Sequence, residues 1–158
     1  MPAPRECSRL KGGGRNAYSA GVDPLLELPD LPQNAVMLGY LRGQASPPSG
    51  ADDYALGSWE LHAHPDLIGV LRGLAPGWPL TAAYGVPLLA CEGVAAVVAL
   101  GTDWLAVRID ELPAGVETDS AAEWSFAGQG WHVVPIWESR LVELVAAALA
   151  HAGDLAAR

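Results

Sequence analysis

The side chains with the most chemical potential in this chain are His62 and His64, Cys91, and an acidic group formed by Asp110, Glu111, Glu117, Asp119 and Glu123. Histidines at alternate positions share one face of an extended strand, which is how a metal pair is presented. A site needs a third ligand, and Asp66, Asp103 and His132 are the available candidates, with no spacing that selects among them. The plainer reading of His62-Ala63-His64 is a solvated lead-in to the helix that starts at Pro65. Cys91 acts as a nucleophile only where a base reaches an exposed thiol. It stands instead in an apolar run with no arginine or histidine beside it, as a buried structural cysteine does. The acidic residues lack the alternating oxygen ligands and sharp-turn glycine of a calcium loop. Gly12-Gly13-Gly14 follows no strand and precedes no lysine-serine pair, so it is no phosphate cradle, and no Gly-x-Ser-x-Gly elbow occurs. The residues therefore predict no catalytic centre, no metal and no cofactor.

The elements that must position these residues are clearest between Tyr84 and Asp110. Three apolar runs, Pro87–Cys91, Val94–Leu100 and Trp104–Ile109, are separated only by Glu92-Gly93 and Gly101-Thr102-Asp103. Connections that short join antiparallel neighbours, so the spacing predicts a meander. Before it, Pro65 and Asp66 suit a helix start, Leu67, Ile68, Leu71 and Leu74 recur at helical spacing, and Gly77 suits the stop. Leu80–Tyr84 and Trp131–Pro135 read as short strands, and Pro113–Gly130 as an irregular acidic loop. From Glu138, the residues Leu141, Leu144, Val145, Ala148, Leu149 and Ala152 follow a helical stripe. The class is α+β: an antiparallel sheet of about four to five strands carrying a helix over about 65–76 and a C-terminal helix over about 138–152.

Upstream the pattern thins. Residues 1–22 read as a disordered leader and 23–56 as a proline-rich, partly ordered extension, leaving 57–158 as the single domain. Within the extension, Ala35–Arg42 is expected as a short apolar strand or single helical turns, and Gln44–Asp53 as a mobile loop. Tyr54–Ala63 alternates weakly and is expected as an extra strand or the approach to the first helix.

The 158 residues carry 9 basic and 18 acidic groups, a net charge of −9, and Lys11 is the sole lysine. A chain so acidic repels phosphate backbones unless its arginines gather, and Arg72, Arg108 and Arg140 fall in different elements, so no direct nucleic-acid binding is expected. The start has no apolar run of signal-peptide type, and the longest apolar runs are far short of a membrane span. Cys7 and Cys91 are too few for a disulfide framework and are expected as free thiols in a reducing compartment. The expected setting is cytoplasmic, away from membranes.

From about Asp66 to Ala152 the order of residues resembles the TfoX N-terminal-domain family. Leu71–Gly77 is similar to that family's helix end, Ala83-Tyr84-Gly85 to its lead-in to a hairpin, and Glu92-Gly93 to its first turn. Leu105–Asp110 is similar to its second-turn strand, and Val134-Pro135 with Leu141–His151 to its closing segment. Ala83-Tyr84 replaces the family's Met-Phe pair, and Val94 stands where a lysine is usual. The resemblance implies a small α+β domain without a catalytic centre, used in regulation or protein contact.

Six tryptophans, Trp59, Trp78, Trp104, Trp124, Trp131 and Trp137, stand beside one phenylalanine, Phe126. Most are expected to give bulk to an alanine-rich core. Trp78 and Trp124 fall at turn and loop positions, and with Phe126 they form the candidate partner-binding site, since interface hot spots favour tryptophan. The resulting expectation is a non-enzymatic protein-binding or regulatory accessory domain whose partner is another protein or itself. Two alternatives stand beside it. One is a small-ligand binder or enzyme with a pocket between sheet and C-terminal helix, using His132 and Tyr84. The other is a structural homodimer joined through a free sheet edge.

Overall fold

A computed structural model of the chain describes residues 26–48, 55–119, 124–127 and 129–158. Its centre is the meander: β5 (Val86–Cys91), β6 (Val94–Leu100) and β7 (Trp104–Arg108), each antiparallel to the next. The two hairpins into β5 and β6 turn on Tyr84-Gly85 (φ 49° and 82°) and Glu92-Gly93 (φ 51° and 83°). Paired positive φ values give the turn whose twist matches right-twisted strands. Glycine adopts this conformation freely, whereas at Tyr84 it costs about 1–2 kcal/mol.

Strand β4 (Thr81–Ala83) extends the sheet on one side and β8 (Trp131–Pro135) on the other. A two-residue strand, β1 (Leu26–Glu27), pairs parallel with β4, so the sheet has six strands in the order β1-β4-β5-β6-β7-β8 and is mixed. A separate hairpin is made by β2 (Ala55–Leu56) and β3 (Trp59–Glu60), which accounts for the weak alternation over 54–63. The class is α+β, with the C-terminal helix on the sheet.

Every residue of β6 is buried because helices and loops cover both faces of the sheet. The register slips between Leu89 and Ala90, pairing them with Val97 and Ala95. Ala96 is the extra residue of a β-bulge, and it lets Ala96 and Val97 face the same side. One side is sealed by α2 (Asp66–Leu74) and α3 (Leu141–Ala156). Sheet residues Leu89, Val97, Leu105 and Val107 meet Leu144, Val145, Ala148 and Leu149, and each is at most 5% exposed. The small side chains of Ala148, Ala152 and Gly153 let α3 lie close to the strands.

The opposite side is covered by α1 (Ala35–Gln44), a longer helix than single turns, and by the loop before β8. Met37, Leu38 and Leu41 pack there with Leu28, Val86, Leu88, Val98, Phe126 and Trp131. Residues 28–41 are thus part of the packed body. A 3-10 turn, Pro32–Asn34, leads into α1 and places Asn34 at 0% exposure. Its Nδ2 donates to Pro29 O (2.9 Å) and Gly93 O (2.8 Å), and its Oδ1 accepts from Ala95 N (2.9 Å). One side chain therefore ties the N-terminal segment to the tip of the central hairpin.

The outer edge of β8 is partly occupied by the loop that precedes it. Asp119 N donates to Val133 O at 2.9 Å, and Ala127 bridges Trp131 in parallel sense. No helix of the described residues is long and apolar enough to cross a membrane. Residues 1–25, 49–54, 120–123 and 128 lie outside the described residues, and with them the leader expected over 1–22, Cys7 and Glu123.

Candidate functional site

The apolar side shared by α1 and the loop before β8 is not closed. An open groove of about 440 Å³ lies between the end of α1, the segment after β3, and the β6–β7 turn. Its floor is Leu41, Val86 and Leu100, all buried. Tyr40 and Trp124 line it as rings whose centroids are 6.5 Å apart at 63°. Exposed Gln44, His62 and Thr102 bring an amide, an imidazole and a hydroxyl to it. None of the described lining residues is Asp, Glu, Lys or Arg.

Local structure explains each position. His62 N donates to Gly85 O (2.8 Å) and His64 N to Gly101 O (2.8 Å), so the segment after β3 is laced onto two turns of the sheet. Trp124 donates its indole N–H to Asp119 Oδ2 (2.9 Å), which fixes the ring and uses its only donor. Tyr84 is held by Trp59, with centroids 5.3 Å apart, and accepts at its hydroxyl from Arg42 Nε (3.1 Å). That hydrogen bond raises the Arg42 pKa above its ordinary value.

The three residues expected to bind a partner do not share a surface. Phe126 is 0% exposed, at the centre of the α1-side core. Trp124 is half-buried beside it, with ring centroids 6.1 Å apart. Trp78 is also half-buried, but it packs on the other core, under α2 and α3. The tryptophan most open to solvent is Trp137, at 65% exposure, tilted against Trp104 with centroids 5.8 Å apart. Val142, early in α3, is 63% exposed. Sequence reasoning did not single out Trp137: its place just beyond a strand end is no stronger a signal than the turn and loop positions of Trp78 and Trp124.

The other candidates separate in the same way. His132 alternates with Trp131 and Val133, which face α1, and so points to the α2–α3 side. Tyr84 packs on the α1 side, so the two cannot line one pocket. His132 Nε2 is buried without a hydrogen-bond partner. His64 Nδ1 accepts the N–H of Asp66 (3.1 Å) at the start of α2. That nitrogen also lies 3.7 Å from the Asp66 carboxylate, but a lone pair already accepting an amide N–H has no proton to give it. Among the described residues no group of three or more His, Cys, Asp and Glu side chains is placed to hold a metal.

Cys91 corrects one expectation. It is fully buried as foreseen, but it is disulfide-bonded and not a free thiol. Two cysteines far apart in sequence carry no spacing signal for pairing, because only the folded geometry decides it. Arg108 is half-buried, which pushes its pKa down by desolvation. Its guanidinium donates to Gln33 O (2.6 Å) and Ala95 O (3.4 Å) and lies 5.1 Å from the Trp131 ring centroid. It is a structural clamp from β7 to the 3-10 turn. Compared with protein-family models, with curated proteins and with solved structures, the chain matches none.

Proposed function

We propose that this chain is a non-enzymatic protein-binding domain, a regulatory or accessory factor, that meets its partner through the end of the sheet bearing Trp104 and Trp137. The observation that carries the reading is the 65% exposure of Trp137. Covering that much indole surface is worth about 2–4 kcal/mol at ordinary transfer values, a gain left unused in the isolated chain. Tryptophan is also the residue type most enriched among interface hot spots.

Two further points support it. The interface between the sheet and α3 is filled by apolar side chains, which removes support for a ligand pocket there. Arg42, Arg108 and Arg140 are engaged within the fold, by Tyr84, by backbone carbonyls with Trp131, and by Ala114 O with Glu138. The net charge of −9 disfavours a phosphate backbone as the partner. The resemblance to the TfoX N-terminal domain over about 66–152 points the same way, toward action by contact.

The test is native mass spectrometry of the chain purified gently from its own host, as wild type, Trp137→Ala and Trp78→Ala. A bound protein that is lost from Trp137→Ala and kept by Trp78→Ala supports the reading. A partner retained equally by all three variants, or no partner at all, overturns it. A homodimer that Trp137→Ala dissociates would make the partner a second copy.

A further inference from the structure

We propose that the groove between α1, the segment after β3 and the β6–β7 turn is a binding site for a small, uncharged, flat heterocycle. The groove shares no lining residue with the Trp104–Trp137 pair, and its test does not depend on that surface. Its volume, about 440 Å³, lies within the range of small-molecule pockets. The other face of the sheet is sealed by two helices, whereas here an open groove runs past the end of α1, with buried Leu41, Val86 and Leu100 beneath it.

The ligand class follows from the lining. Tyr40 and Trp124 present rings steeply inclined to each other, so a flat guest can stack on one and meet the edge of the other. Trp124 already gives its N–H to Asp119, so it offers a ring face and not a donor. Polar recognition falls to Gln44, His62 and Thr102, whose amide, imidazole and hydroxyl each match a neutral donor or acceptor. None of the described lining residues is Asp, Glu, Lys or Arg, and a buried ionic group without a counter-charge is costly. An anion would also meet the repulsion of a chain at net −9. The occupant is therefore neutral, aromatic, and polar at its edge.

The probe is indole, titrated into the full chain and followed by protein NMR at the Trp124 side-chain N–H and the Ala63 and Thr102 amides, with indole-3-acetate and cyclohexanol as comparisons. Saturable shifts with indole are expected at these three places. Binding of the acetate or of cyclohexanol should be at least about tenfold weaker, the factor that about 1.4 kcal/mol of lost complementarity produces. Trp124→Leu should abolish the shifts at Ala63 and Thr102. Because that change also removes the Asp119 bond, Gln44→Ala, at an exposed helix end, is the second variant and should weaken binding while leaving the spectrum otherwise intact. Absence of saturable shifts in the wild type overturns the proposal. So does tighter binding of the anion, or unchanged affinity in both variants.

Discussion

Gly85→Ala tests how the β2–β3 hairpin is seated on the sheet. A Cβ at Gly85 would stand 2.0 Å from Glu60 O and 3.1 Å from Trp59 Cβ, at a backbone φ of +82°. The conformational part costs about 1–2 kcal/mol for an alanine in the left-handed region. Relieving the overlap requires the hairpin to move away by more than an ångström, because the neighbour is backbone and cannot rotate aside. That movement stretches the 2.8 Å bond from His62 N to Gly85 O, worth about 1 kcal/mol. It also loosens the Trp59–Tyr84 ring contact, worth about 0.5–1.5 kcal/mol. The expected total is about 2.5–4.5 kcal/mol, the sum of those contributions. Gly57→Ala is the internal control: its φ is +67° but nothing lies within 4 Å of its Cβ, so only the conformational cost applies. Urea unfolding followed by tryptophan fluorescence would give both values. If Gly85→Ala destabilises no more than Gly57→Ala, to within about 0.5 kcal/mol, the hairpin is not seated as described.

Asn34→Ala leaves Gly93 O and Ala95 N without their side-chain partner at a buried site, and thermal unfolding should show a loss of about 2–4 kcal/mol. Gly39→Ala and Gly43→Ala should each stabilise the chain by about 0.5–1 kcal/mol, because both lie inside α1 with open space around the new methyl group; chemical denaturation reads the gain. Cys91 should resist alkylation under denaturing conditions until a reductant is added, as peptide mass mapping would show.

The parts of the fold that were legible in the sequence are those whose signals are local. The meander announces itself through Glu92-Gly93 and Gly101-Thr102-Asp103, and α3 through an uninterrupted apolar stripe. The α1 helix was harder to read, because Gly39 and Gly43 weaken its intrinsic preference and its burial depends on Phe126 and Trp131, far along the chain. The parallel pairing of β1 with β4 has no local signal either, since two residues cannot display a period. The groove was invisible for a related reason: it is assembled from α1, the approach to α2, the β4–β5 region, the β6–β7 turn and Trp124. Tryptophan identity marked six positions alike, and only packing separates buried Trp131 from exposed Trp137.

The loop before β8 has a consequence for the solubility of the chain. Asp119 and Ala127 occupy backbone positions on the last strand that another chain would otherwise use to extend the sheet. The strand beneath them, Trp131–Pro135, is apolar and buried at most positions, the kind of segment that seeds fibrils when its edge is bare. The same loop that brings Trp124 to the groove is thus also a self-made guard against sheet-to-sheet polymerisation. Lengthening or trimming it to reshape the groove would alter that guard as well.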